Sequence, residues 1–385
     1  MRLIERWLVS SNVQSGASVA GTDSGIRLRD NNTVQNSGSI SAFQRYGVRA
    51  DNGSITVINN ASATISGDQV GVFADVNATV INSGTITGTA VLQPLSVGVQ
   101  AYGLINITNN NGGFITGTAW GVMSVNGGGT VDNYGTITAT GAYGNAAAVY
   151  LQGTGSLLVN NYSGGVLTGY ANGVSGPGPV TVNNWGTITG STGPAIYGDN
   201  AVVTNYSGAT IQGGQDGVLA TTATVVNSGT IAGTAGSGIN ANGGNVIVTN
   251  NSGGLIAGDV GIALSGGSST VFNAGTITGT GGTAIQLSGF GNTLTIAPTS
   301  VINGLVVGSA TDTFQLGGSG TGTFNVGDIG AGQQYDRFIT FNKVGDSTWF
   351  LSGTGAQTWN VLSGTLAGNV TIGGLNVASG GTVAP

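Results

Sequence analysis

Short apolar segments separated by glycine, asparagine or aspartate recur along most of the chain. Three kinds follow one another: a Gly-Val piece such as 70–73, a piece that ends in asparagine such as 79–82, and a Thr-Ile-Thr piece such as 85–88. All three are rich in β-branched residues and are bounded by turn formers, which is the pattern of β-strands. None is long enough for a stable helix, and glycine recurs too often within them. The pattern therefore predicts an all-β chain.

An asparagine-led unit of the form Asn-x-Gly-Ser/Thr-Ile repeats along the chain, and longer variants lie between the short units. The short units begin at Asn36, Asn82, Asn133, Asn184, Asn227 and Asn273, and the longer variants are assigned to start at Asn60, Asn110, Asn161, Asn205 and Asn251. Three short strands in each repeat of about 22 residues make one coil of a solenoid, and successive coils stack about 4.8 Å apart. We therefore predict a right-handed, single-stranded parallel β-helix, a three-sided solenoid with about 22 residues per coil.

The repeat divides the chain into three predicted regions. Residues 31–300 carry the repeat and are expected to form the β-helix proper. Residues 1–30 are expected to be an N-terminal capping or irregular segment, because the first coil of a solenoid needs a cover. Charged and aromatic residues become denser in 301–385, where the repeat fades, and we expect this segment to continue the β-helix.

The asparagine that opens each unit is predicted to point into the core. Side chains alternate between the two faces of a strand, so the valine and the asparagine of a Thr-Val-x-Asn piece share one face. Stacked amides can donate to and accept from the coils above and below, which satisfies buried polar groups. Because the spacing follows the coil period, we interpret the set as a structural ladder and not as a polar binding groove. The predicted ladder consists of Asn82, Asn133, Asn184, Asn227 and Asn273.

Aromatic residues follow the repeat asparagine in four consecutive units. These residues are Tyr134, Tyr162, Trp185 and Tyr206. Their side chains are expected to face away from the asparagine and to form a partly exposed aromatic column along one edge. Such a column either binds glycans or host surfaces, or it only covers the corner, and the sequence leaves both interpretations open.

The composition excludes several kinds of site. The chain has no cysteine and no histidine, which excludes disulfides and thiolate or imidazole metal ligands. Residues 51–335 contain nine aspartates but no lysine or arginine. A nucleic-acid interface needs cationic side chains along its length, so we expect no nucleic-acid partner.

The titratable residues do not form a catalytic pattern. Asp68, Asp216 and Asp259 precede Gly-Val pieces that are several coils apart, and aspartate is a common turn residue at such corners. No motif places a serine beside Lys343 to make a Ser-Lys pair, so we expect this lysine on the surface of a strand. We therefore expect no enzyme activity, no catalytic residues, no cofactor and no metal site.

Two alternative functions remain open. One is a polysaccharide-active β-helix enzyme, which needs paired carboxylates that this sequence does not bring together. The other is an ice-binding β-helix, since outward Thr-x-Thr pairs such as Thr85 and Thr87 would line one face. Other residues interrupt those rows in the intervening coils, and threonine is simply a good strand former.

The C-terminal stretch carries a more specific motif, in which a Thr-Trp-x-Leu-Ser-Gly strand follows a lysine and precedes a Gly-Thr-Leu strand. Over 335–385 this stretch resembles the passenger-associated repeat of type V autotransporters, with the pattern Lys-x-Gly-x-Gly-Thr-Trp-x-Leu-Ser-Gly. The matching residues are Lys343, Gly345, Thr348, Trp349, Leu351, Ser352 and Gly353. Asp346 and Ser347 depart from the small residue and glycine that the family usually has there. Over 31–300 the resemblance is generic, because Asn-Ser-Gly-Thr-Ile repeats occur in many large passengers.

The resemblance implies a passenger that a C-terminal β-barrel carries across the outer membrane of a Gram-negative bacterium. It also implies that the C-terminal region, which is autochaperone-like, promotes folding during export. The sequence shows neither a signal peptide at 1–9 nor that barrel, so we expect a fragment or a truncated gene product. Contact with a membrane is expected only through a barrel outside this chain.

Together these features favour a secreted or surface-displayed adhesin or rigid stalk. The insertions 91–98, 141–147 and 175–179 interrupt the period and are expected to project as display loops. Expected partners are host glycans or matrix proteins, and self-association through exposed strand edges is also open. The expected location is the cell surface or the extracellular space, linked to the bacterial outer membrane.

Overall fold

The described part of the chain is a parallel β-solenoid. The computed structural model describes residues 8–92 and 94–385. Equivalent residues of successive coils are about 23 positions apart, as Asn59 and Asn82 are. The predicted all-β, parallel β-helix fold is therefore confirmed. Among the described residues the helical element is one 3-10 turn, Val326–Asp328, and no helix there is long and apolar enough to span a membrane.

The first strands of the chain are β1 (Leu8–Val13), β2 (Ser18–Gly21), β3 (Ser24–Asn36), β4 (Ser39–Ala42), β5 (Tyr46–Asp51), β6 (Ile55–Asn59), β7 (Thr64–Gly67), β8 (Val70–Ala74), β9 (Ala78–Asn82), β10 (Thr85–Gly88), β11 (Val97–Ala101), β12 (Ile105–Asn109), β13 (Phe114–Gly117), β14 (Trp120–Ser124), β15 (Gly128–Asn133), β16 (Thr136–Ala139), β17 (Ala147–Leu151) and β18 (Ser156–Asn161).

The remaining strands are β19 (Val166–Gly169), β20 (Asn172–Asn184), β21 (Thr187–Gly190), β22 (Ile196–Asn205), β23 (Thr210–Gly213), β24 (Val218–Asn227), β25 (Thr230–Gly233), β26 (Ile239–Ala241), β27 (Ile247–Asn250), β28 (Leu255–Leu264), β29 (Thr270–Asn273), β30 (Thr276–Leu287), β31 (Thr293–Ile296), β32 (Val301–Leu316), β33 (Thr321–Asn325), β34 (Tyr335–Lys343), β35 (Thr348–Ser352), β36 (Thr358–Ala367) and β37 (Gly374–Ala384).

The chain folds as two compact units. Unit 1 comprises the described residues up to Val202 together with Ala209–Gln215. Unit 2 comprises Val203–Gly208 and Asp216–Pro385. The predicted boundaries at 30 and 300 stay predictions. Regular strands are present in the described part of 1–30, namely β1, β2 and the start of β3.

Each coil of unit 1 contains three kinds of strand, illustrated by β8, β9 and β10. We call them the glycine strand, the asparagine strand and the threonine strand. Each kind pairs in parallel with the same kind in the coil before and the coil after. The threonine strand β10, for example, pairs with β7 on one side and with β13 on the other.

The core of unit 1 is a stack of aliphatic side chains. In the threonine strands, Ile86 lies in register between Ile65 and Ile115, and all three are fully buried. The glycine strand opposite comes so close that a Cβ atom at Gly71 would lie 2.7 Å from Ile86 Cγ2 and 2.6 Å from the carbonyl oxygen of Gly98. Glycine therefore recurs in the Gly-Val pattern because the isoleucine column leaves no space for a Cβ atom at this position.

In unit 2 the threonine and glycine strands merge from β28 onward, whereas β25 and β26 are separate. The core becomes aromatic toward the C-terminus. The strands β28, β30 and β32 run through both positions without a break. Phe314 and Trp359 are fully buried there. Their rings lie 6.3 Å apart in an edge-to-face arrangement. Burial raises the pKa of Tyr335, whose ring packs 4.8 Å from Phe314.

The glycine positions provide a direct test of the core geometry. A Cβ atom at Gly98 would lie 2.5 Å from the Gly121 carbonyl oxygen and 2.6 Å from Ile115 Cγ2, so Gly98→Ala should destabilise the protein by about 1–3 kcal/mol through overpacking. The matched control Gly144→Ala places its Cβ in open space and should change the stability by less than about 0.5 kcal/mol. Urea unfolding followed by circular dichroism measures both. Equal unfolding midpoints would contradict the packing described.

Candidate functional site

Buried asparagines form a hydrogen-bonded ladder along the inside of unit 1. The Nδ2 atom of Asn82 donates to Asn109 Oδ1 at 2.8 Å, that of Asn109 to Asn133 at 2.9 Å, and that of Asn133 to Asn161 at 2.8 Å. All of these side chains are fully buried. The ladder of unit 1 consists of Asn36, Asn59, Asn82, Asn109, Asn133, Asn161 and Asn184.

Each ladder amide also fixes the corner that follows it. Asn133 Nδ2 lies 3.0 Å from the carbonyl oxygen of Gly135 in its own corner and 3.3 Å from that of Val166 in the next coil. Asn109 makes the same two contacts with Gly113 and Thr136, at 3.1 and 3.2 Å. The buried carbonyl groups of the corners are thereby paired, which removes the cost of burying them alone.

A second ladder runs through unit 2. Asn205 donates to Asn227 at 2.9 Å, Asn227 to Asn250 at 2.9 Å, and Asn250 to Asn273 at 2.8 Å. Asn273 donates to the Ser300 hydroxyl at 2.5 Å. The residue paired with Asn273 in the next coil is Ile296, so the ladder stops where the sequence repeat fades. All five asparagines named from the sequence thus lie in the core.

Three of the long units start one residue earlier than predicted from the sequence. Asn59, Asn109 and Asn250 are the buried ladder residues, and their neighbours Asn60, Asn110 and Asn251 are not. These neighbours donate instead to the hydroxyls of Ser37, Ser83 and Ser228 on the outside. The reason is the alternation of the strand itself, since Asn109 shares the inward face of β12 with Ile105 and Ile107, and Asn110 follows it outside the strand.

The predicted aromatic column is a parallel stack in unit 1. The rings of Tyr134 and Tyr162 are 4.1 Å apart at 3°, and those of Tyr162 and Trp185 are 5.3 Å apart at 4°. Desolvation raises the pKa of Tyr162, and the neighbouring Tyr134 hydroxyl raises it further. Tyr162 therefore has a neighbouring ring on both faces, which favours a covering role over sugar stacking at this residue. Tyr206 follows Asn205 in unit 2 and is partly buried.

A second aromatic cluster lies on the glycine strands of unit 1, and the sequence analysis did not identify it. We call it the glycine-strand strip. Its members are Tyr46, Val70, Phe73, Val97, Tyr102, Trp120, Met123, Val125 and Tyr150. Phe73 stands between the inward Val72 and Ala74 and so faces outward, yet it is only 6% exposed because the larger rings cover it. The large side chains beside the Gly-Val pairs, such as Phe73, Trp120 and Met123, were visible in the sequence. The Gly-Val pieces were interpreted only as strands.

The rings of the strip meet at several angles. Tyr46 and Phe73 are 4.9 Å apart at 38°, and Phe73 meets Tyr102 edge to face at 5.9 Å. Trp120 stacks on Tyr150 at 5.2 Å and 12°. Tyr102 keeps 47% of its surface exposed, and Tyr46, Trp120 and Tyr150 are partly exposed. The strip therefore presents aromatic surface to solvent above a buried apolar floor.

Two arginines adjoin the strip at its N-terminal end. Arg27 and Arg49 are in register on β3 and β5, and both pair with the mostly buried carboxylate of Asp51. The Arg27 Nε to Asp51 Oδ2 distance is 2.5 Å. The Arg49 guanidinium also lies over the rings of Tyr46 and Phe73, at 4.7 and 5.7 Å from their centres. This cation–π geometry connects the charged group to the apolar strip.

The expectation that Lys343 lies on the surface is wrong. Its side chain is 0% exposed, and its Nζ donates to the carbonyl oxygens of Val344, Gly345 and Ser363 at 2.8, 3.0 and 3.1 Å. Burial lowers the pKa of Lys343, and the nearby Asp346 opposes that shift. Three backbone acceptors compensate for the buried ammonium, which explains why a lysine is tolerated inside the corner.

The motif residue Trp349 and the non-matching Ser347 lie close to this lysine. Trp349 Nε1 donates to the carbonyl oxygen of Gly317 at 3.1 Å, and the Ser347 hydroxyl donates to the same oxygen at 2.9 Å. Both side chains are buried. We call the set Lys343, Ser347 and Trp349 the lysine corner. It packs the end of one coil of unit 2 onto its neighbours through buried polar groups.

The aspartates singled out from the sequence hold loops. In unit 1, Asp68 Oδ1 accepts from the backbone N–H groups of Val91 and Leu92 at 2.5 and 2.9 Å. In unit 2, Asp216 Oδ1 accepts from Ser237 N–H at 2.7 Å, and Asp259 is exposed. Within residues 8–92 and 94–385 no three metal-ligating side chains form a group. The absence of enzyme activity and of a metal site stays a prediction.

The proposed display loops differ from one another. Residues 89–92 and 94–96 lie in one loop of unit 1 and residues 140–146 in another, and the Tyr143 hydroxyl of the second donates to the Pro94 carbonyl oxygen of the first. The predicted insertions reach too far, because 97–98 belong to β11 and 147 belongs to β17. The segment 175–179 does not project, because it lies inside the strand β20. Its Gly and Pro residues suggested a loop, but Ser175 pairs with Tyr150, and the strand continues to Val180, where pairing with β18 begins.

The threonine rows are interrupted as the sequence indicates. Thr85 pairs with Phe114 of the next coil, and Thr136 pairs with Phe114 on its other side. The hydroxyl of Thr138 donates to that of Thr116 at 2.8 Å, so some of these hydroxyls bond to each other. An ice-binding face has no further support from this geometry.

Comparison with known proteins finds no family model, no curated protein and no solved structure that matches this chain. The similarity to autotransporter passengers therefore rests on the sequence motifs and stays a prediction.

The ladder predicts that substitutions of two asparagines in β12 have very different effects on the free energy of unfolding. Asn109→Ala removes the acceptor of Asn82 and the donor to Asn133, and it leaves buried polar groups unpaired. We expect a loss of about 2 kcal/mol or more of unfolding free energy. The exposed Asn106 on the same strand is the control, and Asn106→Ala should cost less than about 0.5 kcal/mol. Urea unfolding decides between them, and equal losses would show that the ladder does not stabilise the fold.

Proposed function

We propose that this chain is the passenger of a type V autotransporter and acts at the bacterial cell surface as an adhesin or a rigid stalk. The lysine corner is the observation that carries the proposal. Two residues that match the passenger-associated repeat, Lys343 and Trp349, lie buried in the same corner of unit 2, beside Ser347, which departs from the repeat. A shared motif that forms one packed corner supports a shared structural role.

The solenoid itself suits a stalk. Coils in the repeat region of unit 1 are tied to the next by parallel strand pairing and by a buried amide, as Asn82 is to Asn109. Such a chain extends by adding coils without needing a larger core. Loops such as 140–146 can vary without disturbing the ladder, which suits a surface that meets other molecules.

Export is the decisive test of this proposal. The chain is expressed in a Gram-negative host between a signal peptide and the β-barrel of a known autotransporter. We expect intact cells to display the chain to an antibody and to added protease as a folded, protease-resistant segment. Retention in the periplasm, or display of an unfolded chain, would contradict a passenger role.

Two adjacent substitutions show whether the lysine corner has the role proposed. Trp349→Ala removes a buried side chain and its hydrogen bond to Gly317, so surface-displayed, protease-resistant chain should fall several-fold. Phe350→Ala alters a residue that is 44% exposed and should leave display unchanged. Display of the Trp349→Ala variant at the level of the unaltered chain would count against the role of this corner.

A further inference from the structure

We propose that Tyr134 and Tyr162 of unit 1 form a site of oxidative cross-linking, at which hydrogen peroxide and a peroxidase join the two rings as dityrosine. The new bond would link two successive coils of the solenoid covalently. This inference goes beyond the proposed function and does not depend on it, because it concerns the chemistry of two neighbouring phenols.

The backbone holds the two tyrosines at equivalent positions of adjacent coils. The residues before them, Asn133 and Asn161, are paired in register on β15 and β18 and are joined by a ladder hydrogen bond of 2.8 Å. The Tyr162 N–H also donates to the Asn133 carbonyl oxygen at 2.8 Å. The two side chains therefore leave the backbone one coil apart, at a spacing of about 4.8 Å.

The two rings face each other at contact distance. Their centres are 4.1 Å apart and their planes differ by 3°, so carbon atoms of one ring lie in van der Waals contact with those of the other. Tyr134 is 39% exposed, and an oxidant can therefore reach its ring. Two groups that are held this close react with each other far more often than the same groups on separate molecules.

The cross-link is a two-electron oxidation. Each phenol gives up one electron and one proton and becomes a tyrosyl radical. The two radicals couple through one ring carbon beside each hydroxyl, a C–C bond forms, and the hydrogen on each of these carbons moves to the phenol oxygen. The peroxidase passes the two electrons and two protons to one molecule of hydrogen peroxide, which becomes two molecules of water.

The other aromatic contacts of unit 1 described above are less suited to this reaction. Tyr162 also stacks on Trp185, but at 5.3 Å, which is farther than its distance from Tyr134. In the glycine-strand strip, Tyr46 lies against Phe73, which has no hydroxyl to oxidise. Tyr150 lies against the indole of Trp120 at 5.2 Å. Proximity therefore favours the coupling of Tyr134 with Tyr162.

A bond between the two rings would close a loop of the chain across one coil. Such a loop removes conformational freedom from the unfolded chain, as a disulfide does. The chain has no cysteine and so cannot form a disulfide between its coils. We therefore expect the cross-linked chain to unfold at a higher urea concentration than the untreated chain.

Treatment of the purified chain with a haem peroxidase and hydrogen peroxide in dilute solution tests the inference independently of export. We expect a monomeric product that shows dityrosine fluorescence and is lighter by two hydrogen atoms. Tandem mass spectrometry of peptic peptides identifies the linked residues. Pepsin is used because the chain has no lysine or arginine between Arg49 and Arg337 for trypsin to cut.

Three conservative substitutions locate the cross-link. Tyr134→Phe and Tyr162→Phe each keep a ring in the stack but remove a phenol, so each should lower the dityrosine yield in the monomer about tenfold or more. The control Tyr150→Phe removes a partly exposed phenol outside the stack and should leave the yield unchanged. Circular dichroism confirms that each variant is folded. Dilution of the unaltered chain should leave the yield per chain unchanged, since the reaction lies within one molecule.

Several results would overturn the inference. These are the absence of dityrosine from the treated chain, dityrosine found only in dimers and larger species, a linkage that maps to Trp185 or to other tyrosines, and equal yields from Tyr162→Phe and the unaltered chain. Equal urea midpoints for the cross-linked and the untreated chain would contradict the stabilising role of the bond.

Discussion

The hydrogen bond between the amides of successive ladder asparagines is the constraint on which the fold depends. An amide buried in an apolar core must find partners there, and Asn109 finds them in Asn82 and Asn133. This requirement fixes the register of each coil on the next, because a one-residue slip would point the amide to solvent. Extra residues of a longer coil accordingly lie elsewhere, as 140–146 do between the threonine strand β16 and the glycine strand β17.

Close approach across the core is the second constraint and depends on the first. Once the ladder fixes the corners, the isoleucine column reaches the glycine strand, and a Cβ atom at Gly71 or Gly98 has no room. The backbone of the glycine strand is drawn inward, and the side chains beside each glycine pack against one another on the outside. The glycine-strand strip is thus a by-product of core packing that leaves aromatic surface exposed to solvent.

Much of the fold was predictable because its determinants are local. Period-two alternation alone places Asn133 inward and Tyr134 outward. The same alternation distinguishes Asn109 from Asn110, because Asn109 shares the inward face of β12 with Ile107. The burial of Lys343 was not predictable locally, because its acceptors include the carbonyl oxygen of Ser363, twenty residues away.

The candidate sites were less predictable than the fold. The aromatic column was visible because its members follow the repeat asparagine, but whether its rings stack or expose their faces depends on side-chain angles that spacing does not give. The glycine-strand strip joins Tyr46, Phe73 and Trp120 from different coils, and only the register of those coils brings them together. Charge patterning located Arg27 and Arg49 near one end of the chain, but not beside those rings.

Hydrogen exchange of the asparagine side-chain amides, followed by nuclear magnetic resonance, tests the central claim most directly. A ladder amide is buried and bonded to the next coil, so its Nδ2 protons exchange only when the coils open. The account predicts much slower exchange for Asn82, Asn109 and Asn133 than for the exposed Asn106. Exchange of the ladder amides as fast as that of Asn106 would contradict it.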